Sequence, residues 1–141
     1  MASKAHQMIL GLVARKMRQR GYEIVSFDGN ENIISNISLS VTPTIKRHKP
    51  DIIGVNFKTK KICLGDAKTL SDIDSLRTKE QFTDYSNLVT KNKKTCEFII
   101  GIPKSAEQKL LKILQELGIN EKNKNVSYVW MPDELLPEEN D

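Results

Sequence analysis

The sequence predicts an α/β fold: a three-layer α/β/α arrangement around a central mixed β-sheet, with elements in the order α-β-β-β-α-β-α-β. Three observations carry this. The run "CEFIIGI" (96–102) is apolar almost without interruption, as a strand covered on both faces must be. Amphipathic helical stripes flank it on both sides in sequence. Two strand-like runs, "DIIGVNF" (51–57) and "KKICLGDAK" (60–68), are separated only by a short turn and so form an antiparallel pair.

Each element has its own signal. "KAHQMILGLVARKMRQRG" (4–21) puts Met8, Ile9, Leu12, Val13 and Met17 on one helical stripe and bases on the other, with Gly21 as the stop. "YEIVSFDGN" (22–30) alternates like a strand and ends in a turn signal. Residues 28–50, rich in Ser, Asn and Thr, are expected to form a variable loop or insertion that shapes the substrate site. The following hairpin, with Lys58 and Thr59 at its tip, opposes Val55 to Ile62, Ile53 to Leu64 and Asp51 to Asp66. "TKEQFTDYSNLVTKNKK" (78–94) reads as a helix with Phe82, Tyr85, Leu88 and Val89 on one side. After the apolar strand come a helix, "SAEQKLLKILQELGI" (105–119), and a last strand, "VSYVWM" (126–131).

The 141 residues, 38% hydrophobic, suit one domain, placed at 1–131. Residues 132–141 are expected to be an acidic, flexible tail. No apolar run is long enough to span a membrane, and "MASKAHQMIL" lacks the apolar centre of a signal peptide, so a cytoplasmic protein is expected. Cys63 and Cys96 lie in apolar runs without metal-ligand spacing and read as reduced core thiols. The last ten residues hold five acids and no base, so the formal +4 divides into −5 there and +9 over residues 1–131. The bases cluster at 15–20, 46–49, 58–61 and 91–94, a pattern that matches a phosphate backbone as well as it suits a solvated lysine face.

The hairpin register raises a chemical question. Asp51 meets Asp66, and Lys68, two residues on, projects on the same face about 7 Å further along. Like charges directly opposite on a sheet destabilise it, and desolvated carboxylates need a proton or a cation. Mg²⁺, with Mn²⁺ as a substitute, takes one or two carboxylates plus water and phosphate oxygens, which this pair can supply. A metal-activated water beside an amine suits phosphodiester hydrolysis. The same residues admit a plainer reading, in which Pro50-Asp51 opens a strand and Asp66 with Lys68 is a surface ion pair.

Pro50-Asp51, then fourteen residues, then Asp66-Ala67-Lys68 resembles the signature of the PD-(D/E)XK nuclease superfamily. "QFTDY", Gln81 to Tyr85, resembles the QxxxY motif of its lambda-exonuclease and RecB-like branches. The resemblance spans about residues 4–130 and implies a restriction-endonuclease-like core. It implies Asp51, Asp66 and the Ala67 backbone carbonyl as metal ligands, with His6 as a candidate further ligand. It makes Lys68 the residue that orients the attacking water and Gln81 its support. Tyr85 would contact DNA or line the site wall, and Lys46, Arg47, Lys49, Arg15 and Lys16 would hold the DNA backbone. Gln81 also fits a capping box with Thr78 as N-cap, and Tyr85 a core anchor.

The first helix departs from the family pattern. Many members carry a Glu there, whereas this helix offers His6 and Gln7 and no acid before Glu23. The expected activity is a Mg²⁺-dependent deoxyribonuclease, an endonuclease rather than an exonuclease, acting on both strands as a homodimer. The alternative is a non-catalytic DNA-binding module or an accessory subunit of a larger nuclease, replication or transposition complex.

Overall fold

The computed structural model describes residues 3–27, 48–90, 93–119 and 124–137. Among the described residues it is an α/β fold with a five-stranded mixed sheet and three helices. In order these are α1 (Lys4–Gln19), β1 (Glu23–Phe27), β2 (Ile52–Asn56), β3 (Lys61–Ala67), α2 (Leu76–Ser86), β4 (Glu97–Pro103), α3 (Glu107–Glu116) and β5 (Val126–Met131). A 3₁₀ turn, Lys104–Ala106, leads into α3, and another, Asp133–Leu135, follows β5. The strands lie side by side in chain order; β1, β2 and β3 are antiparallel neighbours, and β3, β4 and β5 are parallel.

The sheet divides the core in two. Ile62, Leu64, Phe98, Ile100 and Ile102 point to the face covered by Phe82 and Tyr85 of α2 and by Leu110, Ile113 and Leu114 of α3. Ile52, Cys63, Ala67 and Ile99 point to the other, covered by Ile9, Leu10, Val13, Ala14 and Met17 of α1. The period-2 alternation of β3 and β4 therefore feeds both cores, which is why these strands lack polar residues until their ends. Both cysteines are buried free thiols, one in each core, and burial pushes Cys63 up to about 12 and Cys96 to about 11.

Close packing of α1 depends on three glycines that cross the sheet beneath it. A Cβ on Gly54 would stand 2.9 Å from Met17 Cε, one on Gly65 2.8 Å from Val13 Cγ1, and one on Gly101 2.7 Å from Ile9 Cγ2. At its start, Ser3 caps the helix, its Oγ accepting from the His6 N–H at 3.1 Å. Gly21, at φ +92°, takes the left-handed step that ends it.

Three expected boundaries move. The hairpin turn is wider than a two-residue tip: Asn56 pairs with Lys61, and Lys60 adopts φ +61°. Because the longer loop keeps the same centre, Ile53 still faces Leu64 and Val55 faces Ile62. Helix α2 runs from Leu76 to Ser86 rather than from 78 to 94; beyond it the chain reverses through a Val89–Thr95 bridge and hydrogen bonds between Thr90, Lys93 and Lys94. Residues 132–137, expected to belong to a flexible tail, are held to the body. Asp133 accepts from Ser105 N–H and Oγ at 2.8 and 2.6 Å, and Leu136 packs against the α1 core. Among the described residues no helix is long and apolar enough to cross a membrane.

Candidate active site

Asp51 precedes β2 and Asp66 stands near the end of β3, so the hairpin register brings them together one step beyond the Ile52–Gly65 pair. The Asp51 N–H donates to Asp66 Oδ1 at 3.4 Å, and the Ala67 N–H to Asp51 Oδ2 at 3.0 Å. The N–H and C=O of one extended residue face the same neighbouring strand, so the Ala67 carbonyl lies on the Asp51 side. Lys68 leaves the strand on the face of Asp66. Its Nζ stands 3.2 Å from Asp66 Oδ2 and donates a short hydrogen bond to Gln81 Oε1 from the second turn of α2. From α1, His6 Nε2 lies 3.1 Å from Asp51 Oδ2. Four segments thus meet at one end of the sheet.

Burial decides the electrostatics. Asp66 is 1% exposed and Lys68 9%, whereas the Asp51 side chain keeps 23% of its surface and forms the open edge. Burial, then the charge of Asp51, pushes the Asp66 carboxyl up to about 8, against the pull of Lys68. Burial also opposes ionisation of Asp51, yet hydrogen bonds with His6, Asp66 and the Ala67 amide outweigh it and hold its pKa below the ordinary value. The bond to Asp51 raises His6 above 6.5 despite desolvation.

The Lys68 contact with Asp66 is an ion pair without hydrogen-bond alignment, so the buried Oδ2 of Asp66 has no donor. An orphaned carboxylate oxygen beside a second carboxylate fits a hard divalent cation. Asp51, Asp66 and the Ala67 carbonyl are the groups that would hold it. Among the described residues no set of three or more His, Cys, Asp or Glu side chains gathers as a metal cage, so most ligands would be backbone, water or substrate oxygens.

Other expected contacts fall elsewhere. Tyr85 is 1% exposed and packs edge-on to Phe98 at 5.4 Å, so it cannot touch DNA. It lies on the inward face of α2, one turn beyond Gln81, as part of the wall behind the site. Burial, then the charges of Asp66 and Asp51, drives its phenol strongly upward. Arg15 and Lys16 lie on α1 about 14 Å along the helix from His6, away from the carboxylates. Lys49 is exposed two residues before Asp51; Lys46 and Arg47, and with them most of the 28–50 loop, lie outside the described residues. Nor does Gln81 cap α2. Ser75 does, its Oγ accepting from the Thr78 N–H at 3.1 Å, which leaves Gln81 free to reach Lys68.

The sequence reading missed the clamp on the loop from Lys68 to α2. The Thr69 N–H donates to Asp72 Oδ1 at 2.7 Å, and Thr78 Oγ1 donates to the Asp72 carbonyl at 2.7 Å. Its signals were local: Thr-x-x-Asp at 69–72 and Ser-x-x-Thr at 75–78. Also missed was His48, whose Nε2 stands 3.8 Å from Glu80 of α2. Beside the site, Ala5, Ile9, Thr69, Leu70, Pro103 and Leu136 line a cavity of about 240 Å³. Another of about 300 Å³, which includes Arg20, Tyr22, Lys61 and Glu97, lies at the opposite strand ends and takes no part in it. Scans against protein-family models, curated proteins and solved structures each return no match.

Proposed function

We propose that the chain is a metal-dependent deoxyribonuclease of PD-(D/E)XK type, with a restriction-endonuclease-like core, acting on DNA phosphodiester bonds with Mg²⁺ or Mn²⁺. The observation that supports it best is the buried Asp66 carboxyl facing Asp51, with Lys68 tethered beside it by Gln81. Burial beside Asp51 disfavours the charged form of Asp66, a cost that a bound cation relieves.

In this reading Asp51, Asp66 and the Ala67 carbonyl hold the cation, which when bound neutralises charge developing on the phosphate and makes water a better nucleophile. Lys68, held by Gln81 and Asp66, presents its ammonium where it orients the attacking water and counters negative charge in the transition state. Asp51, on the open edge, faces the side from which a phosphate enters. His6 steadies Asp51 through its Nε2 contact. The net positive charge of residues 1–131 draws in the DNA backbone without reading its bases, and a homodimer is the arrangement by which so short a chain cuts both strands.

A second reading, a non-catalytic DNA-binding module or accessory subunit of a larger DNA-processing complex, draws support from the first helix, which offers His6 to Asp51 instead of an acid. Cleavage of supercoiled, linear and four-way-junction DNA by purified protein separates the two. The nuclease cuts in Mg²⁺ or Mn²⁺ and not in EDTA, and Asp66→Ala and Lys68→Ala each lower the rate by about 10²-fold or more. Folded wild type that binds DNA but cuts none of these substrates would sink the nuclease and leave the binding module.

A further inference from the structure

Trp130 is the only tryptophan of the chain and is 42% exposed. An indole left in water on an edge strand forgoes a large apolar burial, so what lies around it matters. The ladder sets its place. Asp66 lies beside Ile100 on β4 and Ala67 beside Gly101; the Lys68 N–H bond to the Gly101 carbonyl, 2.9 Å, carries the register one step on, to Ile102. Ile102 pairs with Trp130 on β5. Alternation puts all three side chains on the face covered by α2 and α3, since Leu64, Phe98, Ile100 and Ile102 belong to that core and Tyr128 packs against it. With neighbouring strands about 4.8 Å apart, the Cα atoms of Lys68 and Trp130 are about 10 Å apart.

Lys104 leaves the strand between them, and its Nζ lies 4.4 Å from the indole centroid while bonding Glu107 Oε1 at 2.7 Å. This fixes the ring and sets a cation at its surface. An indole with a cation over one face, near a phosphate-cutting centre, suits a nucleobase on its other face together with its phosphate. Bases inside a duplex already stack on each other, so only an unpaired one can use the ring.

We infer that Trp130, with Lys104, is a stacking site for an unpaired base of single-stranded DNA within about two nucleotides of the phosphate at Lys68. The inference rests on the nuclease reading, and it makes a single strand or an unpaired end the preferred substrate.

The single tryptophan supplies the test. In EDTA, protein is titrated with a single-stranded oligonucleotide, with an abasic strand of the same length and charge, and with the duplex, following indole fluorescence and affinity. The base-bearing strand is expected to quench the indole and to bind about 5- to 150-fold more tightly than the abasic strand. That preference disappears in Trp130→Ala and survives in Trp130→Phe, two changes at one exposed position that leave the core intact. Equal affinity of the wild type for the two strands, or a preference that persists in Trp130→Ala, overturns the inference. Quenching without any Mg²⁺-dependent cutting would retain the stacking site and remove the nuclease; cutting without quenching would do the reverse.

Discussion

Asp66 is the residue on which the fold spends stability. In an unfolded chain its carboxyl loses a proton near 3.8, whereas in the fold it holds one to about 8, because burial and the neighbouring Asp51 disfavour its charge. Between those values the folded protein binds the extra proton, so this group makes metal-free stability fall as pH rises. His6 acts in the same direction: its raised pKa contributes stability that is complete below 6.5 and lost as pH climbs through the folded value. Asp51 acts oppositely, its depressed pKa giving stability that is lost only as pH falls below the ordinary carboxylate range. Urea melts in EDTA should therefore show stability declining from about pH 5 to pH 8. Asp66→Asn should remove most of that slope and be more stable than wild type at the upper end. Mg²⁺ should stabilise wild type at that pH and leave the Asn variant unmoved. A metal-free stability that stays flat or rises over this range would contradict the buried acid.

At the scale of elements, the site depends on how closely α1 lies on the sheet, because that approach delivers His6 to Asp51. Gly101→Ala would drive a methyl into Val13 and Ile9, with the Ile9 backbone carbonyl 3.4 Å away. Overpacking of this kind costs about 1–3 kcal/mol. Gly11, on the outer face of the same helix, would meet nothing within 4 Å, and Gly11→Ala should stabilise by about 0.5–1 kcal/mol. Chemical denaturation of the two variants should give shifts of opposite sign; a neutral Gly101→Ala would mean that α1 is not seated by the glycines. The hairpin was legible in the sequence because alternation and a central turn fix a register, and hence the Asp51–Asp66 encounter, even though the turn itself is wider than expected. The role of Gln81 was ambiguous because "TKEQ" satisfies a capping pattern. The start of α2 was settled instead by Ser75 and by Asp72, whose contacts depend on the path of a loop that no periodicity describes. Tyr85 carried two readings, the motif pointing to DNA or the site wall and its helical spacing with Phe82 to the core, and it lies in the core. The approach of α1 was out of reach, since three isolated glycines gain meaning only when three strands align them.

Over the whole molecule, charge and attachment part company within the last ten residues. Their first half is structural: Asp133 receives two hydrogen bonds from Ser105, and Leu136 packs against the core under α1. Their second half contributes Glu138, Glu139 and Asp141 to a chain whose first 131 residues carry +9. On the nuclease reading these acids oppose the basic surface that meets DNA, and the opposition belongs to long-range electrostatics, which salt screens with a Debye length of about 10 Å at 0.1 M. Two truncations separate the halves. Ending the chain after Pro137 removes three negative charges and should tighten DNA binding at low salt by about 0.2–1 kcal/mol per charge, with the gain fading as salt is raised and no change in the urea midpoint. Ending it after Met131 also removes the Ser105 bonds and the Leu136 packing, and should lower stability by on the order of 1–2 kcal/mol. Anisotropy titrations of labelled DNA at two salt concentrations, paired with urea melts, read both effects. If the shorter truncation left affinity unchanged at low salt, the acids would not act on the DNA-binding surface, and the basic excess would draw in its partner without opposition from this end of the chain.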